Sequence, residues 1–244
     1  MHGAGVSIGA PSFDWERRRR FQRFHAGIAG GYGQLSVGSS RTVDACNRVV
    51  LDTGVGNNKI AETCEHHHQD FLMYKTPGQD RAWKLTQIVE GYFVPDTLTL
   101  PANDSYISVG LGSPNSSPPF VWDENYMGLV RNLGLGTWQA LFNNPWGSGL
   151  IVQDLGATAG GAAPLFATTF AYKVRVEYVP RVMIRWWLND VLVHTYTDTT
   201  ELQSFYDNAG TAADEMGAYF VSTAQAGQQT KAIFGPMYCE TILT

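Results

Sequence analysis

Charged side chains are scarce in this chain. Asp, Glu, Lys and Arg make up 16% of its 244 residues, less than the surface of a freely soluble monomer usually carries, so part of the surface is expected to be covered by partners. Cysteine is scarcer still. Cys46, Cys64 and Cys239 cannot all pair with one another, and none has the C-x-x-C spacing of a metal or redox site. Three free thiols in a reducing environment are the expectation. No run approaches the ~20 apolar residues of a membrane-spanning helix. The opening MHGAGVSIGAPSFDWERRRR has no apolar core behind a basic tip, so no signal peptide is read and the chain is expected to be made in a cytoplasm without export. Internal repeats, Ser–His–Asp or Cys–His arrangements and Gly-rich phosphate loops are absent as well.

Apolar residues reach 44%, aromatics 12% with seven Trp, and 26 Gly and 11 Pro are scattered between short apolar runs. That is the composition of a strand-rich fold with many turns. The segment from Tyr172 to Tyr196 shows the pattern most clearly. Tyr172, Val174, Val176 and Tyr178 alternate with Lys173, Arg175 and Glu177, which gives a strand one dry and one wet face. After Pro180 the alternation resumes with Val182, Ile184, Trp186 and Leu188. Asn189-Asp190 then supplies two residues that tolerate positive φ, as a tight hairpin needs. Pairing across that turn is predicted to set Leu188 opposite Val191 and Trp186 opposite Val193.

Further strands are predicted at 48–52, 70–75, 83–89, 97–100, 105–111, 126–131, 137–142, 149–153, 165–178, 217–223 and 231–243, with one short helix in 199–208. This is an all-β, antiparallel sandwich spanning 41–244. Residues 1–40 differ: they are dense in Gly and Ser around the cluster WERRRRFQRFH, and read as an extended N-terminal arm. Trp15, Phe21 and Phe24 interleave there with Arg17, Arg18, Arg19, Arg20 and Arg23, an aromatic and cationic mixture suited to partner binding. Net charge is −5; residues 1–25 set five Arg against Asp14 and Glu16, a balance of +3, which leaves −8 for the remainder. The acidic body argues against nucleic acid as its partner.

Candidate chemical sites are few. Asp123-Glu124 and Asp214-Glu215 are adjacent acids, and neighbours on a strand point to opposite faces, so neither makes the carboxylate pair of a glycosidase. No catalytic residue, metal site or cofactor is read. Glu65-His66-His67-His68 lacks a second distant ligand set. Asp104, Asn115, Asp123, Asn125, Asn143 and Asn144 could supply oxygens to a calcium ion, yet these are also ordinary turn formers. Trp122, Trp138 and Trp146 are the candidates for stacking on sugar rings, with Asp123 beside the first, although Trp in a sandwich is more often core or interface.

Three stretches carry a resemblance: HHHQDFLMYKTPGQDRAWKLTQIVEGYFVPDT; YISVGLGSPNSSPPFVWDENYMGLVRNLGLGTWQALFNN; and VRVEYVPRVMIRWWLNDVLVHTY followed by MGAYFVSTAQAGQQTKAIFGPMYCETIL. In order and spacing of strands, over about residues 45–244, the chain resembles the concanavalin A-like lectin/laminin-G jelly roll, in particular versions found in virion proteins of tailed bacteriophages. The resemblance implies a non-enzymatic virion structural protein on the capsid surface, a decoration (cement) or head-fibre protein. Its arm would bind the major capsid protein and further copies of itself as a homo-oligomer. The alternative it implies is a carbohydrate-binding module for surface glycans, and the third class is a glycoside hydrolase. No membrane partner is expected.

Overall fold

The computed structural model describes residues 19–24, 37–46, 48–56, 59–65, 75–76, 79–80, 85–96, 105–112, 126–162, 170–208, 217–224 and 227–242. Sixteen strands run in chain order: β1 (Arg19–Phe24), β2 (Ser40–Val43), β3 (Val49–Asp52), β4 (Lys59–Glu65), β5 (Lys75–Thr76), β6 (Gln79–Asp80), β7 (Thr86–Pro95), β8 (Tyr106–Gly112), β9 (Tyr126–Asn132), β10 (Thr137–Asn144), β11 (Gly149–Gly156), β12 (Tyr172–Val179), β13 (Met183–Leu188), β14 (Val191–Tyr196), β15 (Gly217–Ala224) and β16 (Lys231–Ile242). Among the described residues one α-helix, α1 (Thr199–Asn208), follows β14, and a single 3-10 turn spans Ala159–Gly161.

These strands form two antiparallel sheets. The first has the order β14-β13-β12-β7-β16-β3-β2, with β1 also paired to β16; the second has the order β11-β10-β9-β8-β15-β4; β5 and β6 form a separate small pair. The alternation read in the sequence explains the packing. Val174, Val176, Tyr178, Ile184, Trp186 and Leu188 of the first sheet meet Ile107, Val109, Leu111, Met127, Leu129 and Phe142 of the second in one continuous core. Phe93, Trp138, Tyr172 and Phe234 cluster within it, with ring centroids 5.1–6.0 Å apart, in the tilted geometry that aromatic quadrupoles favour.

The predicted hairpin forms, with one change. Asn189 and Asp190 take φ of 51° and 65°, and Leu188 lies opposite Val191 as expected. Trp186, however, pairs with His194 and not with Val193, because the register shifts by one between Trp186 and Trp187. Such a bulge re-aims the side chains beyond it. It lays His194 flat against Trp186 at a centroid distance of 5.5 Å, and burial pulls the His194 imidazole below its ordinary pKa. The predicted helix forms as α1. Leu202 and Phe205, three apart, bury its inner side against the core, and Asp198 caps its start by accepting from the backbone N–H of Thr200 and Glu201 at 2.9 and 3.1 Å. Strands β1, β2, β4 and β6 are unexpected, and the predicted strand residues 70–74, 83–84, 97–100 and 165–169 lie outside the described residues. Strand β1 lies within the stretch read as an arm: Arg19 to Phe24 pair with Ile242 to Met237, residue for residue.

Candidate functional site

Each sheet has a face turned away from the core, and the two differ in chemistry. On the first sheet that face is a ladder of charge and ring. Arg175 lies between Glu90 of β7 and Trp187 of β13, and Glu177 lies opposite Arg185. The Arg185 guanidinium reaches the Glu177 carboxylate at 2.6 Å, and Lys173 reaches both Asp190 at 2.7 Å and Glu90 at 3.3 Å. The Arg175 and Arg185 guanidinium groups both lie over the Trp187 ring, 4.9 and 5.2 Å from its centroid, a distance at which cation–π attraction operates. These contacts join β7, β12 and β13 across the hydrogen-bond ladder, and the charges neutralise one another locally.

On the second sheet the outward positions are neutral. Register places Ser108 and Gly110 of β8, Tyr126, Gly128, Val130 and Asn132 of β9, and Gln139, Leu141 and Asn143 of β10 on the side opposite the core residues. Gly110 and Gly128 are directly paired. The Tyr126 ring lies along this glycine pair, where a Cβ on Gly128 would meet the ring and one on Gly110 would meet the Met127 carbonyl. The missing side chains are therefore what lets an aromatic ring lie flat on the sheet. The Tyr126 hydroxyl forms a short hydrogen bond with Ser108 Oγ, which also donates to the Leu129 carbonyl at 3.3 Å. Burial pushes the Tyr126 phenol far above its ordinary pKa, against the smaller opposing effect of the Ser108 bond. Asn132 Oδ1 accepts from the Leu135 N–H at 2.9 Å and fixes the β9–β10 turn.

These outward residues are buried: Ser108 and Val130 are 0% exposed, Leu141 2%, Asn143 3% and Tyr126 4%. Tyr126, Val130 and Leu141 nonetheless lie outside the core cluster. The outward side of the second sheet is therefore covered at these positions, and its hydroxyls, amides and phenol are inside the protein. Its rim is the edge strand β11, where Leu150 and Val152, opposite Asn143 and Leu141, are 43% and 47% exposed. Asp154, opposite Gln139, is the one carboxylate among the described side chains of this face on β8 to β11.

The sequence-predicted sugar-contacting residues fare differently: Trp138 is fully buried in the core against Phe93 and Tyr172 and cannot stack on a sugar. Trp146 sits in the β10–β11 turn, half-buried, with its ring 6.1 Å from Phe205 of α1. Its carbonyl accepts from Ser204 Oγ at 3.3 Å. Glu201 of α1 binds the same turn, accepting from Ser148 Oγ, from the Ser148 N–H at 3.1 Å and from Asn144 Nδ2 at 2.8 Å. The Ser148 hydroxyl bond is the main reason the Glu201 carboxyl is held below its ordinary pKa. Trp146 thus belongs to a clasp that seats α1 on the end of the sandwich. Asn144, weighed as a calcium ligand, spends its amide in that clasp, and Asn143 is on the second sheet's outward face. Trp122, Asp123 and Asn125 lie outside the described residues, as do Asp104, Asn115, His66, His67 and His68. Of the arm, Arg19, Arg20, Phe21, Arg23 and Phe24 lie on β1, while Trp15, Arg17 and Arg18 fall outside the described residues. No group of three His, Cys, Asp or Glu able to hold a metal occurs among the described residues.

With this geometry in view, comparison with solved structures settles the architecture. The chain is similar to arcelin-5, a lectin-like defence protein from Phaseolus vulgaris, at a TM-score of 0.56 and 11% identity, over 92% of this chain and 99% of that one. The fold is a concanavalin A-like jelly-roll sandwich. An endo-1,3-β-glucanase from Streptomyces sioyaensis matches at 0.54 and 12%, over 94% and 91% of the two chains. An endo-β-1,4-glucuronan lyase from the fungus Trichoderma reesei matches at 0.52 and 9%, over 91% and 94%. No protein-family model matches the sequence, and no curated protein matches it. At such identities the likeness fixes the fold alone, and function has to be argued from the site.

Proposed function

We propose that this chain is a non-enzymatic carbohydrate-binding module that uses the outward side of the β11-β10-β9-β8-β15-β4 sheet. The observation that carries this is the neutral chemistry at the margin of that face: the Gln139 amide on β10 lies beside the half-exposed Leu150 and Val152 of the edge strand β11, with Asp154 the single carboxylate among the described side chains on β8 to β11. Neutral donors and acceptors suit the hydroxyls of sugars, whereas glycoside hydrolysis calls for two carboxylates ~5–10 Å apart. The company of the fold supports the same reading, since the matching structures are a lectin-like protein and enzymes named for polysaccharide substrates.

A glycan array probed with the whole chain tests this. Binding to a definable glycan, weakened at least about tenfold by Gln139→Ala through loss of one or two sugar hydrogen bonds, is the expected result. An array without hits at high protein concentration would sink the proposal, and turnover on a panel of polysaccharides would replace it with an enzyme.

A virion setting is our second reading: a capsid decoration or head-fibre protein that carries the module on the outside of a phage particle. It is favoured by an arm of +3 on a body of −8, opposite charges that suit attachment of one copy to its neighbours. Purified particles that lack the protein would exclude it.

A further inference from the structure

We propose that the edge of β16 from Met237 to Ile242 is a strand-acceptor site, and that in concentrated or assembled protein its occupant is β1 of a second copy. Two strands share one side of β16, end to end. Its first four residues, Lys231 to Phe234, pair with β3, and its last six pair with β1. The change of partner coincides with the register shift between Phe234 and Met237 against β7, around Gly235-Pro236. Without β1 the order β14-β13-β12-β7-β16-β3-β2 is complete, while six residues of β16 would present unpaired N–H and C=O groups, a template for any incoming strand.

Nothing in the register distinguishes a strand of the same chain from an identical strand of a neighbour. What decides between them is the tether and the charge. Fifteen residues, 25–39, separate β1 from β2, and five of them are glycine (Gly27, Gly30, Gly31, Gly33, Gly38). A segment of that length can span up to about 50 Å when extended, well beyond the ~18 Å radius of gyration of a domain of this size, so β1 can reach a body in contact with its own. The arm and body also carry opposite charge, +3 and −8. Two bodies repel, and an arm passed from one to the other offsets that repulsion. Exchange of an identical element is a low-cost route to an oligomer, because every contact broken in one chain is remade in the next. The tether favours self-occupancy up to an effective concentration of about the mM range, and a neighbour wins above it, as on a crowded surface.

Register supplies the test, because Gln22 lies directly opposite Cys239. Directly opposed residues on antiparallel strands are ~4.5–5.5 Å apart at Cα, within disulfide range. Two full-length chains, both with Cys46→Ser and Cys64→Ser, are mixed and oxidised slowly. One carries Gln22→Cys and Cys239→Ser; the other keeps Gln22 and Cys239. A disulfide from position 22 to Cys239 can then form only between chains. Its yield, read by peptide mass mapping, is expected to rise at least about tenfold as total protein approaches the mM effective concentration of the tether. It should also exceed about tenfold that of Arg23→Cys, which is opposite Tyr238 and out of register. A second readout needs no thiol. The scattering mass of the unmodified chain should climb above the monomer over the same range, and Gln22→Pro, which cannot extend the ladder, should not. Equal yields from positions 22 and 23, no cross-link at any concentration, or a monomer throughout would each overturn the proposal.

Discussion

On the outward side of the first sheet, Glu90, Lys173, Arg175, Glu177, Arg185 and Trp187 interlock charge with ring. At the corresponding side of the second sheet, Ser108, Tyr126, Val130, Gln139, Leu141 and Asn143 carry no formal charge, and Asp154 is the one carboxylate among the described side chains on β8 to β11. Both faces are built on the same period-two alternation, yet they solve different problems. The first satisfies its own charges with cross-strand partners and binds three strands together. The second places unsubstituted backbone beneath a phenol ring and surrounds it with neutral hydrogen-bonding groups. The first face is held by charge pairs and the second by neutral bonds such as Ser108–Tyr126 and Asn132–Leu135, which leaves the margin of the second, at Gln139 and the half-exposed β11, to meet a neutral ligand.

Substitutions should separate the two. The largest effect is expected for Gly110→Ala, whose Cβ would meet the Met127 carbonyl, a backbone atom that cannot step aside, and the Tyr126 hydroxyl. About 3 kcal/mol of stability should be lost, read as a lower urea midpoint; a loss below ~0.5 kcal/mol would mean the glycine pair is not needed. Next comes Glu177→Ala on the other face. It leaves the Arg185 guanidinium without its 2.6 Å partner in a site where Glu177 is 7% exposed, at a cost of about 2 kcal/mol. High salt should shrink that cost and leave the Gly110→Ala cost unchanged, so equal salt dependence would erase the contrast.

Tyr126→Phe should cost about 1 kcal/mol at neutral pH through the lost Ser108 bond, and it changes the alkaline limb. The folded phenol keeps its proton above the pH at which the unfolded one, near 10, releases it. Wild-type stability therefore falls as pH rises beyond about 10, and the variant should fall less steeply. Smallest of all is His194→Phe. The folded imidazole has a lowered pKa, so the unfolded state binds the proton first, and stability declines as pH drops below about 6.5. Thermal melts between pH 7 and 5 should show a shallower decline in the variant.

Much of the first sheet was legible because its signals are local. Tyr172 to Tyr178 and Ile184 to Leu188 alternate on either side of the break at Pro180, and Asn189-Asp190 is a turn on sight. The pairing of Trp186 with His194 comes from a bulge that the alternation of β14 does not announce, and Val182, read on the face of Ile184, is instead 53% exposed in the β12–β13 turn. The unexpected strands are those whose sequences hide the period: RRFQRF puts arginine where an apolar residue is sought, SRTV is four residues long, KIAETCE is mostly polar, and β6 is only the pair Gln79-Asp80. The second sheet's outward face was barely visible. Tyr126 over Gly128 is a three-residue pattern, but Gly110 joins it only through pairing across 18 positions. The α1 clasp joins Asn144 to Glu201 across 57. Trp146 attracted a sugar-stacking role because composition offers a Trp in a turn, whereas its ring packs against Phe205 of a helix more than fifty residues away.

The most direct test of the account is titration of an array-selected glycan into three proteins by calorimetry: wild type, Gln139→Ala on the second sheet and Trp187→Ala on the first. Binding lost in Gln139→Ala and preserved in Trp187→Ala is the expected result. Binding indifferent to Gln139 and abolished by Trp187→Ala, with both variants folded, would contradict it.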